Sequence, residues 1–352
     1  MTGVSNLKRI SICLILIASL HPTLAASSAL QWQQLPPLPD PLGVAGPFAG
    51  VSGGALLVAG GANFPDRMPW EGGKKVWHDT VFVLEQPSGR WENAGKLPRP
   101  LGYGVSVSHA DAVICIGGSD LARHYADAFR LRWRRGGLII EPLPPLPIPL
   151  ANMSGALVSN TVYLAGGTES PGEQRAIHRF FALDLDMRQP AWRELEPVPG
   201  RPRLLATAAT HQNAFYLFGG AALEPNAEGK VARVHLREAL RYRPGHGWMR
   251  LADLPKPSVG APSPAPVVDG RVWLLAGDDG SHASVGPVEG HPGFAKTILA
   301  YDPTLDRWGE AGEVPAPRAT APCVEWRGRF VVPGGEVRPG VRSPEVWSSK
   351  PR

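Results

Sequence analysis

The 352-residue sequence predicts an all-β fold, a six-bladed β-propeller whose ring is closed by its own N-terminal strand. Three observations carry that expectation. An apolar strand ending in a glycine pair, or in one copy a single glycine, recurs six times along the chain. A tryptophan that opens a short strand, followed by Leu-Pro or Val-Pro, keeps the same phase. The chain also starts on an outer strand with no blade of its own and ends on a blade that lacks one. Composition agrees: 41 glycines and 38 prolines suit many short strands joined by turns. All-β folds of this length often form one domain.

Taken in order, residues 1–25 read as a signal peptide. Lys8 and Arg9 form a basic start, residues 10–20 are apolar but too short to span a bilayer, and "TLA" (23–25) offers small residues for cleavage after Ala25. The mature chain, 26–352, is then expected to be periplasmic or secreted, with no later membrane span. Export leaves Cys115 and Cys323, each inside an apolar strand and in different copies of the repeat. Two buried free thiols are expected rather than a disulfide. There is no Cys/His cluster at ligand spacing, so no metal site is indicated. The net charge of +5 comes without a basic run interleaved with aromatics, so no nucleic-acid footprint is present.

"LQWQQLP" (30–36) is the ownerless outer strand. The six apolar runs follow: "LLVAGGAN" (56–63), "VICIGGSD" (113–120), "VYLAGGTE" (162–169), "FYLFGGAA" (215–222), "VWLLAGDD" (272–279) and "RFVVPGGE" (329–336). Their closing position falls at 61, 118, 167, 220, 278 and 335. A period of roughly 50 residues resembles the kelch repeat, one four-stranded blade per copy. Trp32, Trp91, Trp192, Trp248 and Trp308 open the outer strands, and "LIIEPLP" (138–144) replaces the tryptophan in one copy. "RYRPGHGW" (241–248) and "YDPTLDRW" (301–308) read as third strand, turn and fourth strand. The last copy has "APCVEW", "RFVVPG" and "PEVWSS" but no fourth strand. The N-terminal strand supplies it, which removes the open sheet edges.

In a propeller, the turns leaving the second strands gather at one mouth of the axis, and the residue after each glycine pair projects toward it. Those residues are Ala62, Ser119, Thr168, Ala221, Asp279 and Glu336. Two are acids. Pro339 and Gly340 bend the chain so that Arg342 returns toward the same mouth. A guanidinium clamps a carboxylate, and a glutamate exchanges protons with a hydroxyl. A solvated rim acid and a surface ion pair are the plainer alternatives. The long loop 62–79 adds Asn63, Arg67, Trp70 and Lys75, the mixture of aromatic faces and polar donors that a sugar needs. The segment 277–294 adds Asp279 and His291, although Asp-Asp-Gly is equally a turn signal.

Three stretches carry a family resemblance: "LGVAGPFAGVSGGALLVAGGANF" (42–64), "YGVSVSHADAVICIGG" (103–118) and above all "GEVRPGVRSPEVW" (335–347). They are similar to the N-acetylneuraminate epimerase family, exported sialic acid mutarotases on a six-bladed kelch propeller. "GVAGPFAG" lies in the last blade of characterised members and in the first here, so the resemblance is to the cyclically permuted mutarotase group. It implies that Glu336 is the acid/base and that Arg342 contacts the sugar. Leu101 stands where the family has an arginine, and "PRLL" (202–205) keeps only Arg203 of a polar substrate-side segment. The implied activity is interconversion of the anomers of N-acetylneuraminate or a related acidic keto-sugar by ring opening, with no cofactor and no metal. A non-catalytic carbohydrate-binding propeller would use the same mouth for affinity alone.

Overall fold

The computed structural model describes Met1 and residues 30–134, 136–284 and 288–351. Apart from Met1, the expected signal peptide lies outside the described residues.

Six four-stranded antiparallel sheets form the blades of a β-propeller. Blade one holds, from the axis outward, Phe48–Ser52, Ala55–Ala59, Thr80–Leu84 and Glu92–Lys96. Blades two to five repeat this order, with inner strands Val105–His109, Ser154–Val158, Thr207–His211 and Val267–Val268. Blade six is made of Val324–Trp326, Arg329–Pro333, Val346–Pro351 and, as its outer strand, Leu30–Leu35. The N-terminal strand pairs antiparallel with the third strand, Trp32 opposite Ser349 and Leu35 opposite Val346. The ring therefore closes as the two chain ends predict.

The second strands are apolar past their first residue because they are covered on both faces. Ala55–Ala59, Ala112–Ile116 and Ala214–Phe218 are buried along their whole length. Each core cluster joins two neighbouring blades: Phe48, Leu57 and Val83 of blade one pack against Val113, Cys115 and Phe129 of blade two. Cys323 packs between blades five and six with Leu275, Ile298 and Val332. Both cysteines are buried and free.

The repeated tryptophans are inter-blade staples. Their indole N–H groups donate backward to a carbonyl just beyond the preceding blade's outer strand: Trp91 to Pro36 O (2.8 Å), Trp192 to Pro144 O (2.9 Å) and Trp308 to Ala252 O (2.8 Å). Each of these three half-buried rings thus gains a partner for its one polar atom, whereas the Trp32 indole N–H has none among the described residues.

The axis carries a second repeat that links all six blades. Just before each inner strand, one residue takes a left-handed backbone: Gly46, Tyr103, Asn152, Leu205, Gly260 and Thr320. Each donates its N–H to the carbonyl of the equivalent residue one blade back: Tyr103 to Gly46, Asn152 to Tyr103, Leu205 to Asn152, Gly260 to Leu205, Thr320 to Gly260 and Gly46 to Thr320, all at 2.7–2.9 Å. The result is a closed circle of backbone hydrogen bonds around the axis. It holds four non-glycine residues in a conformation L-residues adopt at a cost, a form of strain that clusters at working sites.

Candidate active site

The glycine pairs do position the mouth residues. Gly334 and Gly335 have φ of +67° and +90°, and a Cβ on Gly335 would stand 2.9 Å from the Ala321 side chain and 3.0 Å from the Ala319 carbonyl. The next residue then bridges back to the strand-entry loop of its own blade: Ala62 to Ala45, Ser119 to Gly102, Thr168 to Ala151, Ala221 to Leu204 and Glu336 to Ala319. In blade five the register is one residue earlier than the sequence spacing indicated. Ala276 and Gly277 take the left-handed pair, and Asp278, not Asp279, bridges to Val259. An alanine in the first glycine position hid the phase.

Among the described residues, three blades extend their mouth loops into short hairpins. Blade one pairs Ala62–Asn63 with Val76–Trp77, blade four pairs Ala221–Pro225 with Val231–His235, and blade six pairs Glu336–Arg338 with Val341–Arg342. The blade-six hairpin places Glu336 directly opposite Arg342. Arg342 Nη2 lies 3.1 Å from Glu336 Oε1, with the two side chains only 3% and 17% exposed. This is a largely buried pair, so the surface ion pair of the plainer alternative is not what the hairpin builds. Arg342 also donates to Tyr103 Oη (3.2 Å) and Ala62 O (3.3 Å), and its guanidinium lies 4.6 Å from the Phe64 ring centre. Its Nη1 is buried with no hydrogen-bond partner among the described residues.

Both side chains line a cavity of about 620 Å³ over the axis, shared with Phe64, Lys75, Trp77, Tyr103, Asn152 and Arg233. That volume suits a small sugar. Lys75 Nζ sits 4.9 Å from the ring centre of Tyr103, 5.4 Å from Trp77 and 5.9 Å from Phe64. Burial lowers its pKa, and Arg342 and Arg233 lower it further against the pull of Glu336. Burial, then the Glu336 charge, pushes the Tyr103 hydroxyl up to about 12, so it stays protonated. Three cations thus surround one carboxylate on this side of the cavity. Asp120 and Glu173 line it from blades two and three, where Asp120 accepts from Tyr125 Oη and Glu173 accepts from Ser170 Oγ.

The remaining sequence candidates sit elsewhere. Asn63 is buried, and its amide is spent on Asp40, Gly43 O and His78. Arg67 is exposed in the loop 62–79. Trp70 packs against Gly340 at the tip of the blade-six hairpin and stacks with the Arg338 guanidinium. Arg203, 1% exposed, is tied to Glu238 at 2.8 Å and to the Gly219 and Arg201 carbonyls. Arg318 makes the same kind of pair with Glu345, and Arg99 with Asp127. Arg203 is therefore one of three Pro-Arg clamps that tie a blade's entry loop to the acid before its third strand. Asp279 caps a turn by accepting from Ser281. His291 is buried and accepts from Gly293 N, outside the cavity lining. Tyr103, Trp77, Phe64 and Arg233 were not singled out from the sequence. The signal for Tyr103 was its place in the sixfold left-handed ring, visible only once the blades are superposed.

Comparison with known proteins points to one family. Residues 18–140 match the family model described as N-acetylneuraminate epimerase. Curated N-acetylneuraminate epimerases are similar over a comparable length. One from Yersinia pestis (strain Pestoides F) is 39% identical over 137 residues, and one from Salmonella enteritidis PT4 (strain P125109) is 41% identical over 125 residues. The matches cover 34% and 32% of either chain, so the aligned stretch spans about a third of these epimerases. The match to the family model takes in blades one and two, including Phe64, Lys75, Trp77 and Tyr103. Glu336 and Arg342 lie beyond it.

Proposed function

We propose that the protein is an exported mutarotase that interconverts the anomers of N-acetylneuraminate or a closely related acidic keto-sugar. The observation that carries this is the buried Glu336–Arg342 pair lining a sugar-sized cavity that Lys75 and Arg233 also line. The epimerase match in blades one and two supports it from the part of the cavity that those blades supply.

Glu336 takes the proton of the anomeric hydroxyl, the bond between the anomeric carbon and the ring oxygen breaks, and a keto form results. Rotation about the adjacent carbon–carbon bond presents the other face, and reclosure returns the proton. Arg342, with Arg233, holds the sugar carboxylate so that the anomeric centre faces Glu336, a gain from proximity and orientation. The unpartnered Arg342 Nη1 is a donor that a ligand oxygen would satisfy.

The test is proton NMR of freshly released α-N-acetylneuraminate with the purified protein. Accelerated appearance of the β-anomer supports a mutarotase. Tight binding with an unchanged exchange rate would make the protein a carbohydrate binder instead.

A further inference from the structure

Ring opening moves two protons: one leaves the anomeric hydroxyl and one arrives at the ring oxygen. A single carboxylate at one point in space must swing or relay to serve both. We propose, resting on the mutarotase reading, that Lys75 is the second proton carrier, the acid that protonates the ring oxygen while Glu336 deprotonates the anomeric hydroxyl.

The geometry singles out this lysine. It comes from the returning strand side of the blade-one loop, and its ammonium is fixed over three ring faces, Tyr103, Trp77 and Phe64. Among the described residues it makes no hydrogen bond or ion pair to a protein oxygen, so its N–H donors are not committed. Tyr103 ties it to the catalytic pair: the ring carries Lys75 on its face and takes Arg342 Nη2 at its hydroxyl, 3.2 Å away, while that same nitrogen is 3.1 Å from Glu336. The charged or titratable groups acting on it are Arg342, Glu336 and Arg233. Other candidate acids in the cavity fit less well. Tyr103 is held fully protonated, with its oxygen accepting from Arg342. His124 is buried, with Nε2 bound to Thr168 Oγ1 at 3.0 Å, and burial keeps it neutral. Arginine does not give up its proton. A lysine beside another cation in an apolar cage gives up its proton more readily than a solvated one, which makes its ammonium the better acid.

The step balances. The anomeric O–H proton goes to the Glu336 carboxylate, the electron pair of the carbon–ring oxygen bond goes to the ring oxygen, and that oxygen takes a proton from the Lys75 ammonium. The products are the keto form, a protonated Glu336 and a neutral Lys75 amine. On reclosure the chain hydroxyl attacks the carbonyl carbon, returns its proton to Lys75, and the carbonyl oxygen takes back the Glu336 proton. No other reactant is needed.

The experiment measures kcat and KM for anomer exchange by NMR across pH 5.5–9.5 with the unaltered chain, Lys75→Arg and Lys75→Met. Lys75→Arg keeps the positive charge over the rings and reports folding as well. The expected result is a fall in kcat of about 100-fold or more in both variants, with KM for Lys75→Arg within a few-fold of the unaltered chain. The unaltered chain should lose kcat at alkaline pH as Lys75 deprotonates, and Lys75→Arg should not. A Lys75→Arg protein with unchanged kcat, or a Lys75→Met protein altered only in KM, would overturn the proposal and leave Lys75 as a carboxylate anchor. If the unaltered chain does not accelerate exchange at all, the mutarotase reading falls and this proposal falls with it. Activity in the unaltered chain with full activity in Lys75→Arg defeats only the proposal.

Discussion

At the scale of single residues, Arg342 has more to do than any other side chain of the site. It meets Glu336, Tyr103 and the Ala62 carbonyl at once and stacks on Phe64. A planar fork is needed for that set, and an ammonium on a flexible stem supplies only one or two of the contacts. Arg342→Lys should therefore fold but raise KM for the acidic sugar about tenfold, corresponding to about 1.4 kcal/mol of lost ground-state and transition-state binding. Steady-state exchange kinetics check this, and an unchanged KM would place the sugar carboxylate elsewhere. Residue-level reading of the sequence reached Glu336, Arg342 and Lys75, because their types and spacing sit on one repeat period or one loop. It did not reach Tyr103, Trp77, Phe64 and Arg233. Those converge from blades one, two and four, and nothing in linear order marks that convergence. Arg203 was over-read for the opposite reason: a buried structural arginine and a ligand-binding one look alike until Glu238 is seen beside it.

At the scale of elements, the glycine-pair turn is what aims the mouth residue. Gly335 has φ of +90° and no room for a Cβ beside Ala321 and the Ala319 carbonyl. Gly335→Ala should cost at least about 1 kcal/mol of stability and lower the exchange rate as well, because Glu336 must shift with its backbone. Thermal unfolding and exchange kinetics on the same sample separate the two effects. A variant with full activity would mean that Glu336 tolerates displacement, and its role as proton carrier would be doubtful. The N-terminal strand is the second decisive element. Removing residues 30–35 strips blade six of its outer strand and exposes the edge of the strand Val346–Pro351. Loss of a cooperative melting transition, or aggregation on concentration, is the expected outcome, and calorimetry reads it. The ends of the chain made this closure legible in advance, because one strand was missing and one was spare. Blade five was misphased by a residue because Ala276 takes the place of a glycine while adopting the same left-handed turn.

At the scale of the whole molecule, stability rests on six inter-blade cores and on the circle of axial hydrogen bonds, with ionisable groups buried among them. His124, His211 and His291 all have pKa values lowered chiefly by burial. The sign follows directly. The unfolded chain, with histidines near 6.5, binds more protons than the native one below that pH. Their contribution is complete above about pH 6.5 and is lost as pH falls through the lower native values. Asp278 acts in a lower window. Burial raises its carboxyl pKa, but the His235 and Gly280 hydrogen bonds outweigh that, so its pKa lies below the usual 3.8 and its contribution is lost only in acid. The melting temperature should fall between pH 7 and pH 5, and replacing the three histidines with asparagine should flatten that part of the profile. A melting temperature independent of pH over this range would contradict the burial assigned to these rings. Repeat architecture was the most legible level of all, since the period, the closure and the mouth follow from the recurring glycine turn and from the tryptophan that all copies but one carry.

The central claim, that Glu336 carries protons for anomer exchange in this cavity, is tested most directly by comparing the unaltered chain with Glu336→Gln in one NMR tube series of α-N-acetylneuraminate at fixed pH. Glutamine preserves shape and can still accept from Arg342, so binding should survive while the exchange rate falls by about 10²–10⁴-fold toward the spontaneous value. Exchange at the full rate with Glu336→Gln would contradict the account and move the chemistry to another group.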